Sequence, residues 1–371
     1  MKKTVIALAV LGLGISAAQA QEVIKIGHVG PLTGNIAHLG KDNENGARMA
    51  IDDYNAKGIK IGGKAVKFEL IGEDDAADPK TGTTVAQRLV DAGVKGVVGH
   101  LNSGTTIPAS RIYDQAGIPV ITPSATNPKL TQQGYKGVFR TIANDVQQGA
   151  VIGKYSAQKL GKKVAIIDDR TAYGQGLADE VDKGVKAGGG TVVAREFTNN
   201  QATDFMAILT KIKAANPDVI VYSGMDAQGG PMLKQLKQLG ITAKWITGDG
   251  GCTGEIIKLA GDAIGPNDYC TQAGLPLEQM PGGKDFKERF KKKFGADVQI
   301  YAPYAYDAAA AIIEAMKKAN SSDPAKYLPA LKASNFKSVT GTIAFDDKGD
   351  IKNGAVTVYH FENGAWKALK N

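Results

Sequence analysis

The sequence has few of the residue types on which metal centres and nucleic-acid surfaces depend. Its 371 residues include 2 cysteines and 4 histidines, and aromatic residues make up only 6%. No Cys or His residues stand together at the ligand spacing of a zinc site, and few aromatic rings are left to stack on bases. After the first 20 residues, no stretch approaches the ~18 consecutive apolar residues of a membrane-spanning helix. The scarcity of these residues and stretches argues against a metal site, a nucleic-acid partner and membrane insertion, and it predicts that the protein has no cofactor.

The motifs of common enzyme classes are also missing. The chain has no G-x-x-x-x-G-K-[ST] phosphate loop, no G-x-G-x-x-G after a strand and no G-x-S-x-G nucleophile elbow. His100 follows a buried strand and suits a general base, but a hydrogen-bonded structural histidine is the favoured interpretation. The acidic run Glu73-Asp74-Asp75 with Asp78 lacks the EF-hand pattern, which favours a solvated loop over a calcium site. The sequence therefore favours a non-catalytic protein.

The net charge of +8 is spread along the chain, with one local cluster at Lys291-Lys292-Lys293. A cluster of this size on a helix is more typical of a solvated face than of a nucleic-acid patch. We therefore expect these lysines to lie on an exposed helix surface.

The first 20 residues have the pattern of a secretory signal peptide. A basic start, Lys2-Lys3, precedes an apolar stretch at residues 5–15, and Ala18-Gln19-Ala20 forms a small-x-small cleavage site. The alternative is an amphipathic N-terminal helix. Because Gln21 follows the cleavage site where a lipid anchor requires cysteine, we expect a soluble, exported chain.

The two cysteines, Cys252 and Cys270, are expected to form a disulfide if the chain is exported. Oxidising compartments outside the cytoplasm favour such a bond. The alternative is a pair of buried free thiols.

Short apolar strands alternate with amphipathic helices along the chain. This order predicts βαβ units, parallel sheets and helices on both faces of each sheet. Residues 138–142 look extended and lead into a second βα series, with no long polar linker between the two. We therefore predict an α/β protein with two doubly wound, parallel-sheet lobes joined by short crossovers.

Small and hydroxyl-bearing residues follow several of the predicted strands, in segments 102–105, 122–126, 173–174 and 249–251. Ligands bind at the carboxyl ends of the strands in such sheets. Ser103 and Thr105 suit the N-cap of a helix, which is a ready site for a carboxylate. Capping alone is the simpler interpretation of each residue, but the recurrence at successive strand ends favours a binding site.

Longer segments resemble the periplasmic leucine/isoleucine/valine-binding proteins. The resemblance covers essentially the whole chain after residue 20, and SATNPKLTQ and AYGQG are its most specific motifs. The segments that carry it include GPLTGNIAHLGKDNENGARMAIDDYNAKG (30–58), GHLNSGTTIPAS (99–110), TPSATNPKLTQQGY (122–135), DDRTAYGQGLAD (168–179), TGDGG (247–251) and YAYDAAA (304–310). It implies a type I periplasmic binding protein fold with three crossovers and a cleft that closes on the ligand. The implied lobes are residues 21–142 with 274–346, and residues 143–273 with 347–371.

The resemblance also assigns roles to individual residues of the cleft. It implies that Ser103 binds the ligand carboxylate, that Asp249 receives the ammonium group, and that Tyr173 is the cleft tyrosine. The remaining implied ligand-binding residues surround the ligand's backbone or its side chain, and they are Ser124, Ala125, Thr126, Leu39, Met225 and Tyr304.

Two departures from the family pattern alter this site. Leu39 replaces an aromatic residue that lines the pocket in some relatives, and Met225 takes the position of a second tyrosine. Ala77 and Asn102 stand where some relatives have a disulfide, for which Cys252–Cys270 is a candidate replacement.

The resemblance implies a monomeric periplasmic receptor that delivers aliphatic L-amino acids to the permease of an ABC transporter. Other small ligands, such as amides, aromatic amino acids or small acids, remain alternatives on the same fold, as does a sensory role. A hydrolase is a remote alternative, because no nucleophile–base pair is evident.

Overall fold

The computed structural model describes residues 21–369, of which the first part forms a mainly parallel sheet. Six strands run in the order β2-β3-β1-β4-β5-β6, and only the β2–β3 hairpin is antiparallel. The strands are β1 (Glu22–Gly30), β2 (Lys60–Ile61), β3 (Lys64–Asp74), β4 (Val97–Gly99), β5 (Val120–Thr122) and β6 (Val138–Arg140). The helices between them are α1 (Ala37–Ala56), α2 (Pro79–Asp91), α3 (Ser103–Gln115) and α4 (Lys129–Gln132).

A second βα series follows and builds the parallel part of a second sheet. Its helices are α5 (Asp145–Tyr155), extended by a π-helical turn (Ser156–Leu160), α6 (Ala172–Ala187), α7 (Met206–Ala215), α8 (Asp226–Gln238) and α9 (Gly254–Ala260). Its strands are β7 (Lys163–Asp168), β8 (Thr191–Phe197), β9 (Val219–Ser223), β10 (Lys244–Thr247) and β11 (Asp268–Gln272).

The remaining chain divides between the two sheets. Helices α10 (Gly283–Phe294), α11 (Ala302–Ala319) and α12 (Pro324–Lys332) precede a short hairpin of β12 (Phe336–Lys337) and β13 (Thr342–Ile343). Strands β14 (Thr357–Glu362) and β15 (Ala365–Ala368) then complete the second sheet, in the order β15-β14-β11-β10-β9-β7-β8. The β14–β15 turn carries Asn363 and Gly364, both with positive φ, as the Asn-Gly signal predicts.

Each sheet has its own hydrophobic core. Helix α11 packs on α1 and on the first sheet, and its small alanine side chains are buried there. The two helices approach closely, because a Cβ on Gly46 would lie only 2.1 Å from the Ala302 carbonyl oxygen. The core of the second sheet is separate and includes Trp245, stacked on Tyr222.

The fold is therefore an α/β fold of two lobes with two mainly parallel sheets. The first lobe contains β1–β6 and α11, and the second contains β7–β11 with β14 and β15. The chain passes between them after Arg140, after Gln272 and after Ile351. Residues 347–351 lie beside the first sheet, where the Arg140 Nε is 2.7 Å from an Asp350 carboxylate oxygen, whereas the expected boundary placed them in the second lobe.

The proposed signal peptide, residues 1–20, lies outside the described residues. Within residues 21–369, no helix is both long and apolar enough to cross a bilayer. The lysine cluster lies in the last turn of α10, and its ion pairs join Lys291 to Asp297 and Lys293 to Asp52. The cluster is thus part of a solvated helix face.

Candidate ligand-binding site

A buried carboxylate, Asp249, lies where the two lobes meet. It follows β10 and begins a single 3-10 turn, and it is 1% exposed. Tyr173 of α6 donates its hydroxyl to one carboxylate oxygen at 2.9 Å, and Tyr301 donates to the other at 2.7 Å. Burial raises the pKa of Asp249, and the two hydroxyl donors oppose this shift because they stabilise the charged form. Since Tyr301 immediately precedes α11 in the first lobe, Asp249 accepts hydrogen bonds from both lobes.

Glycine and the disulfide fix the turn that carries Asp249. A Cβ on Gly250 would lie 2.8 Å from the Met225 Sδ, so only glycine fits without a shift, and the Gly250 N–H donates to the Tyr173 hydroxyl at 3.1 Å. Cys252 ends the turn and forms the predicted disulfide with Cys270 of β11, with a Cα–Cα distance of 5.3 Å. The bond fastens the Asp249 turn to the neighbouring strand.

The loop after β5 carries the predicted backbone-binding residues Ser124, Ala125 and Thr126, all buried. Ser124 donates its hydroxyl to the Leu101 carbonyl at 3.1 Å and accepts from the Asn43 amide at 3.0 Å. The Ala125 carbonyl accepts from the Arg140 guanidinium. Among the described residues, the Thr126 hydroxyl has no hydrogen-bond partner. The loop is therefore held in place by these hydrogen bonds, and the Thr126 hydroxyl is buried within it.

Ser103 lies at the first position of α3, at the carboxyl end of β4. Its hydroxyl accepts from the Asn127 N–H at 3.2 Å, which joins the α3 N-terminus to the loop after β5. The expectation that Ser103 or Thr105 caps α3 is wrong, since the extended residue before the helix is Asn102. Thr105 instead donates its hydroxyl back to the Asn102 carbonyl at 3.1 Å.

Asp145, which the sequence did not single out, joins the start of α5 to the loop after β5. It begins α5, is fully buried, and its N–H donates to the Thr126 carbonyl at 2.9 Å. Neither of its carboxylate oxygens has a hydrogen-bond partner within residues 21–369. Burial raises the pKa of Asp145 to about 8, and the negative charge of Asp249 adds to the shift. Burial therefore favours the protonated, neutral form of Asp145.

The predicted apolar residues belong to one cluster that spans both lobes. Leu39 of α1 and Met225, which precedes α8, pack in it with Tyr173 and Tyr301. Tyr304 belongs to the same cluster but lies beside a crossover, where a Cβ on Gly274 would overlap its hydroxyl oxygen. The structure thus places Tyr304 at the hinge side of the cluster.

A cavity of about 480 Å³ opens between the lobes above this cluster. Tyr173 and Met225 line it, together with Asn102 and Gly104 from the start of α3. Ser103, Thr126 and Asp249 are not among its lining residues. These three residues are buried and do not line the cavity.

The alternative sites weighed from the sequence have structural roles. His100 is fully buried, with its ring nitrogens 3.1 Å from the Asp75 carboxylate and 3.0 Å from the Tyr113 hydroxyl. The Asp78 carboxylate caps α2 by accepting from the Thr81 N–H. His100 is therefore the hydrogen-bonded structural histidine that the sequence favours.

The two-lobed α/β fold, with a polar buried site and a cavity between the lobes, defines the class of bilobed ligand-binding proteins. The family model described as periplasmic binding protein matches residues 23–365, and the chain belongs to this family. Its members are substrate-binding proteins of transporters and not enzymes.

Individual relatives are similar over almost their whole length. A Pseudomonas aeruginosa protein named leucine-, isoleucine-, valine-, threonine- and alanine-binding protein is 39% identical, over 97% of this chain and 95% of its own. The branched-chain amino acid transporter substrate-binding protein of Streptococcus pneumoniae, solved in complex with isoleucine, is 30% identical, with a TM-score of 0.84 and coverage of 94% and 100%. A leucine-binding protein of Thermotoga maritima is 27% identical, with a TM-score of 0.85 and coverage of 94% and 98%.

Proposed function

We propose that the protein is the receptor of an ABC transporter for aliphatic L-amino acids, with leucine, isoleucine and valine as its preferred ligands. The observation that carries this proposal is the buried Asp249 carboxylate, which accepts hydrogen bonds from both lobes beside an interlobe apolar cluster. The names of the similar P. aeruginosa and S. pneumoniae proteins support the same ligand class.

The charges of a zwitterionic ligand fit opposite sides of the site. Asp249 on the second lobe binds the ammonium group, because a buried carboxylate needs a cation to offset its desolvation. Ser103 and the buried Thr126 hydroxyl, on the first lobe, bind the other end of the ligand backbone. The N-terminus of α3, a helix of 13 residues, adds the positive end of its dipole at the carboxylate.

The side-chain pocket selects aliphatic over charged ligands. Leu39 and Met225 contribute only apolar atoms, and both are buried in the cluster that Tyr173 closes. A charged ligand side chain would lose its hydration there without gaining a partner from these residues. Leu39 and Met225 therefore set the shape of the pocket, and Tyr304 supports it from the hinge side.

The transport role also requires export and a membrane partner. Residues 1–20 direct export and are removed after Ala20, so that the mature protein works in the periplasm as a monomer. It then delivers its ligand to a separate permease, and the closed arrangement of the lobes is the form that the permease recognises.

The decisive experiment compares leucine with analogues that lack one of its charges. Isothermal titration calorimetry should show binding of leucine, isoleucine and valine, whereas 4-methylpentanoate, which lacks the ammonium group, and isoamylamine, which lacks the carboxylate, should bind far more weakly. A thermal-shift panel should extend this to alanine, phenylalanine, amides and benzoate. Binding of 4-methylpentanoate or benzoate in preference to every amino acid would refute the proposed function.

A further inference from the structure

A histidine of the first lobe contacts a buried carboxylate of the second lobe at the border of the candidate site, next in sequence to Leu39 and Met225. The His38 Nε2, near the start of α1, lies 2.8 Å from an Asp226 carboxylate oxygen at the start of α8. The His38 side chain is 23% exposed and that of Asp226 is fully buried. The contact joins the lobes directly, so separation of the lobes must break it.

Asp226 depends on this contact for a positive partner. The same oxygen accepts the Thr253 hydroxyl at 2.7 Å, while the other oxygen has no hydrogen-bond partner among the described residues. Within residues 21–369, His38 is the only side chain that forms an ion pair with Asp226. The first turn of α8 favours the charged carboxylate through the helix dipole. A charged His38 is therefore the natural complement of Asp226.

The other charged groups that face His38 are also acidic. They are Asp42 on its own helix and Glu255 on α9, the latter paired with the exposed Lys258 at 2.8 Å. Burial favours neutral His38, but the hydrogen bond to Asp226 and the three negative charges outweigh it, and they raise the pKa of His38. The lobe contact thus holds a proton more tightly than a solvated histidine does.

We propose that His38 and Asp226 form a proton-dependent latch, which holds the lobes together more strongly at acidic pH and so increases affinity for the ligand. The inference rests on the proposed function, because it assumes that ligand is held between closed lobes. His38 acts here as a positioning residue, since its role is to stabilise the closed arrangement rather than to touch the ligand.

The direction of the pH dependence follows from linkage. His38 has a raised pKa when it contacts Asp226 and an ordinary one when the lobes separate. The stability that the His38–Asp226 contact adds to the closed form is therefore fully present below the ordinary pKa of His38. It is lost as the pH rises through the raised pKa that His38 has in the closed form. Since ligand binds the closed form, the latch should weaken binding as the pH increases, and by reciprocity ligand binding should raise the pKa of His38.

The test is calorimetry of wild type and His38→Gln with leucine at pH 5.5, 7 and 8.5. Glutamine keeps a hydrogen-bond donor but carries no charge. The ratio of wild-type to variant affinity should rise from about 1 at pH 8.5 to several-fold at pH 5.5, because only the wild type gains a protonated, positively charged partner for Asp226. A ratio rather than a single pH profile is needed, because the ratio cancels the pH effects of other titratable groups that both proteins share.

His360→Gln is the matched control. His360 lies on β14 and contacts the Pro266 carbonyl within the second lobe, so its replacement should leave the ratio near 1 at every pH. Asp226→Asn should remove the pH dependence as His38→Gln does. A ratio for His38→Gln that stays constant with pH would overturn the latch alone. Failure of wild type to bind any amino acid would refute the proposed function, and the latch with it.

Discussion

Replacement of Asp249 by asparagine isolates the charge that we assign to ammonium binding. Asparagine has nearly the same shape, and its amide oxygen can still accept the Tyr173 or Tyr301 hydroxyl, which now donate at 2.9 and 2.7 Å. The variant also preserves the turn, because asparagine is as suitable as aspartate before glycine. Only the negative charge is lost.

The magnitude follows from the burial of the carboxylate, which is 1% exposed. Truncating one partner of a buried, hydrogen-bonded charge pair costs about 2–5 kcal/mol, or roughly 30- to 4000-fold in affinity. The ligand-free variant should be at least as stable as wild type, because burial disfavours the charged Asp249 and raises its pKa. Binding and stability should therefore change in opposite directions.

The assays are calorimetry with leucine, isoleucine and valine, and urea unfolding of the ligand-free protein. Asp268→Asn is a matched control, since Asp268 is a buried aspartate of the same lobe that accepts from the Gly265 N–H at 2.6 Å. It should leave affinity unchanged. Wild-type affinity in Asp249→Asn would remove Asp249 from the site and reduce it to a turn-forming residue. Lost affinity together with lost stability would show a structural defect instead.

Two further variants and reduction of the disulfide test other parts of the structure. Tyr301→Phe removes the hydrogen bond that the Tyr301 hydroxyl donates to the Asp249 carboxylate of the other lobe, and it should weaken leucine binding about 10-fold or more. Unchanged affinity by calorimetry would contradict the interlobe role of Tyr301. Asp145, with a folded pKa of about 8, lowers wild-type stability as the pH rises from about 4 to 8. From pH 5 to pH 8, the free energy of unfolding measured in urea should therefore fall by roughly 2–4 kcal/mol less in Asp145→Asn than in wild type. Equal falls in the two proteins would refute the burial argument. Reduction of Cys252–Cys270 should lower stability by about 3 kcal/mol or less, and free thiols in non-reducing peptide maps would contradict the bond.

The sequence predicts most of the fold because the signals of its strands and helices are local. The buried run Val164–Ile167 and the apolar face of α11 each reveal an element without knowledge of its neighbours. β11 (Asp268–Gln272) has no such signal, since its sequence DYCTQ has little apolar periodicity. It is a strand because it pairs with β10 on one side and β14 on the other. Tertiary pairing of this kind cannot be read from a short segment.

The candidate site could be proposed from the sequence where its residues follow strands, as Asp249 and the loop after β5 do. Tyr301 was missed because it precedes a helix and lies in the other lobe, 52 residues from its partner Asp249. Asp145 was missed because its position at the start of α5 has the local pattern of a helix terminus. In both cases the functional environment arises only when the two lobes come together.

The polar contacts between the lobes bear on the proposal that a ligand controls closure. Tyr301 donates to Asp249, His38 contacts Asp226, and the Asn127 amide donates to the Ala172 carbonyl at 2.5 Å. Each such bond contributes about 0.5–3 kcal/mol, while closure also buries the Asp249 carboxylate at a cost of similar size.

The net free energy of lobe closure is small enough for ligand binding to determine whether the lobes are open or closed. To shift a two-state equilibrium from 1:99 to 99:1, a ligand must favour one state by about 5.5 kcal/mol. In the proposed binding mode, a leucine ammonium group paired with Asp249 would replace the lost hydration of that carboxylate and supply much of this difference, while Leu39 and Met225 would add apolar contact. A ligand without the ammonium group leaves the cost of burying Asp249 uncompensated, so it should fail to close the lobes even where its side chain fits.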